Sequence, residues 1–382
     1  MGRCLLIVGN LRQNLSSEAF LSKICSVALT CFDNIVVFGA DIPPNHPNIK
    51  HIFFGNTHDK NLYSISKLRN AAREASLQFK AALTLLYKGH FPNVTNVLFL
   101  TPQPLGIIIA RIQYGRVSLY SGGFPFFPKN RFVLDSLAMM MVKYLPSLLV
   151  DKILVESKGD NSFYHAGEFE SKCIHCSQYV DTRIFNKQSP IESREFDIAF
   201  FGGLWKKKGI DRLVIALREL LVENHKLKVL IVGDGPLRAE VESLSREFVN
   251  VTTMGWVTRR EVPILLNRTK FTILPSDYEG LPNIVLESLS CGTPVIANPV
   301  GGIVDIISDG NNGYLMKGNN PDQIKSAINR AIMEPAIQQL SRSAIQTILG
   351  KFDFESACSR FASAIATDDN SVTIVSRNQH QN

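Results

Sequence analysis

The chain has 382 residues, more than one ordinary core accommodates, so two domains are expected. Hydrophobic residues make up 45% and charged residues 20%, which excludes a disordered chain. The formal charge of +7 arises from 41 basic against 34 acidic residues spread along the chain. It suits a phosphorylated ligand or an anionic membrane surface, and the lack of an arginine-rich arm or of stacking aromatics argues against nucleic acid.

The N-terminus, "MGRCLLIVGN", enters a short apolar strand at once. That run is too short for a signal peptide, and Leu6 stands where myristoylation needs Ser or Thr. A second strand follows at 34–41, a helix with a glycine stop at 66–89, and a strand at 96–101. Residues 105–115 read as a helix and 116–123 as a strand ending in two glycines. The stretch 122–149 mixes aromatics, methionines, lysines and prolines. It fits a core helix with a loop, or an amphipathic surface meeting a membrane. Asp135, Lys143, Pro146 and Asp151 interrupt the apolar run at 132–155, so it is not a spanning helix. Residues 151–157 are the next strand. Cys173 and Cys176 form a C-x-x-C pair with no second pair to complete a zinc site, so structural thiols are favoured over redox or metal chemistry. Seven scattered cysteines argue against a disulfide framework and for a reducing, cytoplasmic setting.

A polar linker is expected at 184–196, "IFNKQSPIESREF". Strands are then expected at 196–203, 228–235, 250–255, 270–276 and 293–298, alternating with helices. In the helix from Gly209 to His225 the apolar positions Ile210, Leu213, Val214, Leu217, Leu220 and Leu221 repeat as one buried face. A shorter helix is expected over 259–267. Apolar strands alternating with helices of 10–15 residues imply parallel sheets covered on both faces, here two doubly wound α/β domains in tandem. In such sheets ligands bind at the carboxyl ends of the strands. The tail after about residue 366 is polar and reads as disordered.

The strand ends of the C-terminal half carry the chemistry. After the first comes "GGLWKKKGIDRL": Gly202 and Gly203 allow close backbone approach, and Lys206, Lys207 and Lys208 precede a helix N-terminus. These lysines fit an anion site or a solvated basic loop. After the second, Gly233, Asp234 and Gly235 form a tight turn, with Pro236 at a good first helical position. "SDYEGLPNIVLESLSCGTPVIA" (276–297) places Glu279 before a Gly-Leu-Pro turn and Glu287 inside an apolar helix that ends at Cys291-Gly292. The free N–H groups at the helix start, over 282–285, are expected to form an anion site. On its own, Glu287 reads equally well as an ion pair with a neighbouring loop.

Taken in order, "FFGGLWKKKGIDRL", "LIVGDGPLRAEVE", "MGWVTRREVPILL" and "PSDYEGLPNIVLESLSCGTPVIANPVGGIVDIISDGNNGYL" closely resemble the retaining glycosyltransferases of family 4, with the GT-B fold. The likeness is strong from Phe200 to about Leu315 and fainter upstream, at "VESKGDNSFYHAG" and "YVDTRIF". It implies an acceptor-side Rossmann-like domain over 1–184 and a nucleotide-sugar domain over 185–350. A C-terminal helix within 351–382 would pack back toward the first domain.

The resemblance also implies roles. Glu279 would contact donor-sugar hydroxyls, and Lys208 would hold the diphosphate. Gly202, Gly203 and Lys207 would line the donor loop. Gly280, Leu281, Pro282, Asn283 and Ile284 would form the turn and helix start facing sugar and diphosphate, Pro282 without an N–H to give. Glu287 would accept from the ribose. Gly233, Gly235 and Pro236, with Trp256 and Val257, would border the base. A UDP-, GDP- or ADP-sugar is the implied donor, a glycan or lipid-linked molecule the implied acceptor, with no metal or other cofactor and with peripheral contact to the inner membrane face. Two positions depart from the family. Gly203 stands where an arginine is common, and Tyr120 and Ser121 stand in "LYSGG" where a histidine is common. His58 and His165 read as ordinary surface or packing residues. The departures favour a competing reading, a non-catalytic nucleotide-sugar-binding protein of the same fold.

Overall fold

A computed structural model describes residues 3–8, 15–38, 46–52, 82, 94–100, 103–121, 144–157, 169–176 and 178–365. The described residues form two compact units. One takes residues within Met1–Glu156, within Asp160–Cys176 and from Cys358 on; the other takes Ser157 and residues within Ser177–Ala357.

Among the described residues, the first unit holds a seven-stranded parallel sheet. Its strands are β1 (Cys4–Val8), β2 (Asn34–Phe38), β3 (Ile49–Ile52), β4 (Val94–Phe99), β5 (Val117–Ser121), β6 (Lys152–Val155) and β7 (Cys173–His175), in the order β3-β2-β1-β4-β5-β6-β7. β1 is buried at all five positions, as a parallel strand covered on both faces must be. Helix Pro104–Tyr114 starts with a proline, where the missing N–H costs nothing, and closes at Gly115. It buries Ile107 and Ala110 against Phe99, Leu119 and Ile153. The Lys172 ammonium donates to the carbonyls of Ser147, Leu148 and Val150 at the end of helix Leu145–Leu149, where a cation meets the negative end of the helix dipole. Asn96 Nδ2 donates to the Ile365 carbonyl at the end of helix Phe354–Ile365. Helix Leu15–Ala28 and the short strands β3 and β7 were not legible from hydrophobic period. The helix expected at 66–89 (Ala82 apart), most of 122–149, His58, His165 and the tail lie outside the described residues.

The second unit holds a six-stranded parallel sheet. Its strands are β8 (Phe196–Phe201), β9 (Val229–Val232), β10 (Val251–Met254), β11 (Thr269–Leu274), β12 (Val295–Ala297) and β13 (Gly313–Leu315), in the order β10-β9-β8-β11-β12-β13. Alternate residues of β8 feed opposite faces. Ile198 and Phe200 join one apolar layer with Leu213, Leu217 and Phe271, whereas Ala199 and Phe201 join another with Leu286 and Leu289. Helix Ile210–Glu223 buries the whole expected stripe, Ile210 to Leu221. The helix expected over 259–267 is only Val262–Leu266. Its start is delayed because the Glu261 carboxylate accepts from the Thr258 N–H and hydroxyl, holding 258–261 as a turn. Among the described residues no helix is long and apolar enough to cross a membrane.

The expected linker is not one. The division between the units falls near Ser177, and 184–196 is built into the second unit. Phe185 and Ile191 are buried, and Asn267 accepts from the Gln188 N–H at 2.7 Å. The cause is Arg194, only 4% exposed. Its guanidinium donates to the Thr269 and Cys291 carbonyls at 2.9 and 2.8 Å and to Thr293 Oγ1 at 2.6 Å. It thus ties the segment to β11 and to the end of helix Asn283–Ser290. Burial pulls its pKa down to about 10, so it stays charged at neutral pH. Arg194→Met should strand these buried acceptors and lower unfolding stability by about 2–4 kcal/mol. Urea unfolding reads this directly, and an unchanged midpoint would show that the segment is held by other contacts.

Candidate active site

The strand order of the second sheet reverses between β8 and β11, so the loops leaving their carboxyl ends diverge and open a crevice. The loop after β8 runs over 202–209 and the loop after β11 over 275–282. They are bound together at their bases. Gly209 has φ +73°, and a Cβ there would lie 2.1 Å from the Pro275 carbonyl oxygen, so no other residue permits this approach. The Asp277 N–H donates to the Lys207 carbonyl at 2.9 Å. Asp277 Oδ1 accepts from Arg212 at 2.7 Å and from Asn319 at 2.8 Å. On the other side, Gly301 has φ +54° and its missing Cβ would fall 1.7 Å from the Glu279 carbonyl oxygen. The Gly302 N–H donates to the Gly280 carbonyl at 2.8 Å.

Between these anchors stand Lys208 and Glu279. Lys208 Nζ donates to Glu279 Oε1 at 2.6 Å and to Oε2 at 2.8 Å, and Ser276 Oγ donates to Oε1 at 2.7 Å. Glu279 is 8% exposed. A carboxylate this buried requires pairing, and here it has a cation and a hydroxyl. The three lysines separate: Lys206 and Lys207 are exposed, as in a solvated loop, and only Lys208 turns into the crevice. Gly202 N–H donates to the Val232 carbonyl at 3.0 Å. At Gly203 a Cβ would lie 2.6 Å from Trp205 Cδ1, so the indole ring fills the space where a longer side chain would start. Glycine at 203 and tryptophan at 205 are therefore a matched pair.

Helix Asn283–Ser290 starts one residue later than Pro282, which is the N-cap with extended backbone. The Val285 N–H is taken by the Pro282 carbonyl at 3.0 Å. The Val285 N–H is therefore removed from the expected anion site at the helix start, and Leu281 in the preceding turn is buried. Glu287 is 6% exposed and faces Arg259, whose Nη1 lies 3.1 Å from Oε1. An ion pair with a neighbouring loop is therefore present. Glu287 Oε1 accepts no hydrogen bond among the described residues, the Arg259 contact being one of charge without hydrogen-bond alignment. Arg259, Ser276 and Asp277 were not singled out by sequence reasoning. Ser276 and Asp277 adjoin Glu279 in the motif, whereas the partner of Arg259 is set only by folding.

Pro236 is not at a first helical position. Helix Arg238–Glu247 has Leu237 as its N-cap, and the Leu237 N–H is bound by the Leu204 carbonyl at 3.1 Å, which holds the turn against the β8 loop. Gly233 and Gly235 flank Asp234, whose carbonyl accepts from Leu204 N–H. Trp256 is 62% exposed beyond β10, and Val257 packs on the apolar layer below. In the first unit, Tyr120 near the carboxyl end of β5 donates its hydroxyl to the buried Glu156 at 2.8 Å, just past β6. Cys173 and Cys176 are free thiols, raised to about 11 and about 12 by burial. Among the described residues no three His, Cys, Asp or Glu groups cluster as metal ligands.

Residues 181–347 match the family model "Glycosyl transferases group 1". The chain is similar to an uncharacterized glycosyltransferase of Methanocaldococcus jannaschii, 28% identical over 188 residues, covering 45% of this chain and 52% of that protein. It is also similar to the D-inositol 3-phosphate glycosyltransferase of Nocardiopsis dassonvillei, 38% identical over 153 residues, covering 36% of this chain and 35% of that one. The chain thus spans about half the length, or less, of these curated relatives. Among solved structures, Anabaena Alr3699/HepE in complex with UDP is similar with a TM-score of 0.73 at 17% identity, covering 94% of this chain and 98% of that chain. The fold is that of the GT-B glycosyltransferases, with two Rossmann-like α/β domains.

Lys208→Ala would leave Glu279 with Ser276 alone. With Lys208 partly solvated, the expected loss of stability is about 1–2 kcal/mol, and Glu279→Gln should cost less because its amide keeps the shape and can hydrogen-bond Ser276. Chemical denaturation of the two variants tests the order; equal losses would contradict it.

Proposed function

We propose that this protein is a retaining glycosyltransferase that moves a hexose-type sugar from a nucleotide sugar to a glycan or lipid-linked acceptor. The observation that carries the reading is the Lys208–Glu279 pair at the strand-order reversal, directly ahead of a helix N-terminus. In the proposed reaction the bond between sugar C1 and the diphosphate oxygen breaks, and its electron pair leaves with the diphosphate. Lys208 and the positive end of helix Asn283–Ser290 supply positive charge for that oxygen. The acceptor hydroxyl oxygen bonds to C1 on the same face, and its proton passes to the departing phosphate oxygen. Glu279 holds donor-sugar hydroxyls and gives negative charge near the oxocarbenium-like centre. Glu287 accepts from the ribose, and Trp256, Val257 and the turn at 233–236 border the base. With Lys208 and the helix start supplying the charge, this scheme requires no metal ion.

UDP-sugars are the first donors to test, because Alr3699/HepE has been solved with UDP and with UDP-glucose. GDP- and ADP-sugars complete the screen. At a hundred times Kd a true donor should add about 2.7 kcal/mol to unfolding stability. Glu279→Gln should lower sugar transfer, or donor hydrolysis without acceptor, by about 100-fold or more. No protection by any nucleotide sugar would overturn the reading. Protection without turnover on any acceptor would favour a non-catalytic nucleotide-sugar-binding protein, which the Gly203–Trp205 pairing in place of a cation supports.

We further infer a cytoplasmic protein with a peripheral membrane association, because a lipid-linked acceptor lies at a membrane and the chain carries a charge of +7. Co-sedimentation with anionic but not neutral vesicles is the expected result. Equal recovery in the supernatant with both would remove the membrane from the proposal.

A further inference from the structure

Arg259 lies in the segment "MGWVTRREVPILL", where sequence reasoning assigned it no role, yet it is built into the site by a closed ring of contacts. Helix Asn283–Ser290 carries Glu287, and three residues on it carries Ser290. Ser290 Oγ donates to the Phe185 carbonyl. Phe185 is fully buried, and its N–H is held by the Asp181 carbonyl at 2.9 Å. The Arg259 guanidinium rests on the Phe185 ring, 5.2 Å from its centroid, in a cation–π contact. From there Arg259 Nη1 returns to Glu287 Oε1 at 3.1 Å. One end of the helix therefore fixes the platform on which the arginine sits, and the arginine fixes the carboxylate on the same helix. Asp181, the other carboxylate near this guanidinium, is already engaged by Arg183 Nε and Nη2 at 2.9 and 2.8 Å. Among the described residues, Glu287 is thus the carboxylate within ion-pair distance of Arg259.

The ring leaves two capacities unused. Glu287 Oε1 is buried and accepts no hydrogen bond among the described residues. Arg259 is 44% exposed, so its charge pins the carboxylate from one side without closing the crevice. A buried carboxylate held close to a cation, with the lone pairs of Oε1 unspent, suits a ligand that brings hydroxyl donors. We propose that Arg259 is the positioning residue for Glu287, setting the carboxylate so that it accepts from the ribose diol of a nucleoside diphosphate and thereby selects ribose over deoxyribose. This rests on the reading of the crevice as a nucleotide-sugar site. Arg259 itself takes no part in bond breaking. Without it, the Glu287 side chain keeps its charge but loses its fixed direction.

The test compares binding of UDP, GDP and ADP with their 2′-deoxy and 3′-deoxy forms by calorimetry, in the wild-type chain, Glu287→Gln, Arg259→Gln and Arg259→Lys. The wild type should prefer the ribose form by at least about tenfold, as a hydrogen bond to a charged group commands. Arg259→Gln should collapse that preference to the level of Glu287→Gln, while deoxy-nucleotide affinity changes little. Arg259→Lys, which keeps the charge but fits the ring less well, should restore part of it. A wild-type preference retained in Arg259→Gln overturns the proposal. A uniform loss of affinity for ribose and deoxyribose forms also overturns it, since that marks a merely structural arginine. A ligand-free arm separates the two readings: melting temperatures of Arg259→Gln, Glu287→Gln and the double variant should be non-additive. Additive shifts refute the pair itself. Non-additive shifts in a wild-type chain that binds no nucleoside diphosphate refute the nucleotide site, and the ribose role with it, while leaving the pair as a structural contact.

Discussion

One ammonium shared by two carboxylate oxygens organises the candidate site. Lys208 arrives on the loop after β8 and Glu279 on the loop after β11, and their bidentate contact bridges the point where the strand order reverses. At an effective dielectric of about 20, two unit charges 4 Å apart attract by roughly 4 kcal/mol, and this pair is closer. Desolvation opposes that gain, which is why the surrounding backbone matters. Gly209 against Pro275 sets the two loops, and Gly301 against Glu279 sets the segment after β12 beside the second of them, at spacings that side chains would forbid. The Arg212–Asp277–Asn319 contacts hold the β11 loop from outside. The charges meet because the backbone leaves them nowhere else to go.

The two acids of the motif have opposite situations. Glu279 has its charge answered twice, by Lys208 and Ser276, and any ligand must compete for it. Glu287 has a charge partner in Arg259 but an acceptor oxygen without a hydrogen bond. The first arrangement suits a group that keeps its place as charge develops nearby. The second suits one that completes its hydrogen bonding only when a hydroxyl arrives. They stand eight positions apart, and the start of helix Asn283–Ser290 lies between them.

Much of this was legible beforehand. Parallel sheets buried on both faces leave near-continuous apolar strands, so β1, β8, β9 and β11 could be placed from composition alone. The stripe from Ile210 to Leu221 gave its helix because burial repeats every 3.6 residues. Short edge strands such as β7 and β13 carry three residues, too few for any period to show. The segment 184–196 misled for a physical reason: most of its polar side chains face water, but Phe185, Ile191 and Arg194 between them are buried and its backbone is tied to Asn267. Pro236 misled likewise, because the Leu204 carbonyl captures the next N–H and delays the helix.

The sequence by itself determined the parallel α/β architecture and the presence of two carboxylates, a lysine cluster and a helix start at the strand ends. Hydrophobic period and turn chemistry are local, and they act through residues a few positions apart. Only the tertiary structure decided which lysine of three meets Glu279, that Trp205 occupies the space beside Gly203, and that Arg259 answers Glu287. The two ion pairs join residues tens of positions apart, and the Gly203–Trp205 contact depends on how the β8 loop is folded. Their energies depend on distance and burial, which exist only once the sheet has set the loops side by side.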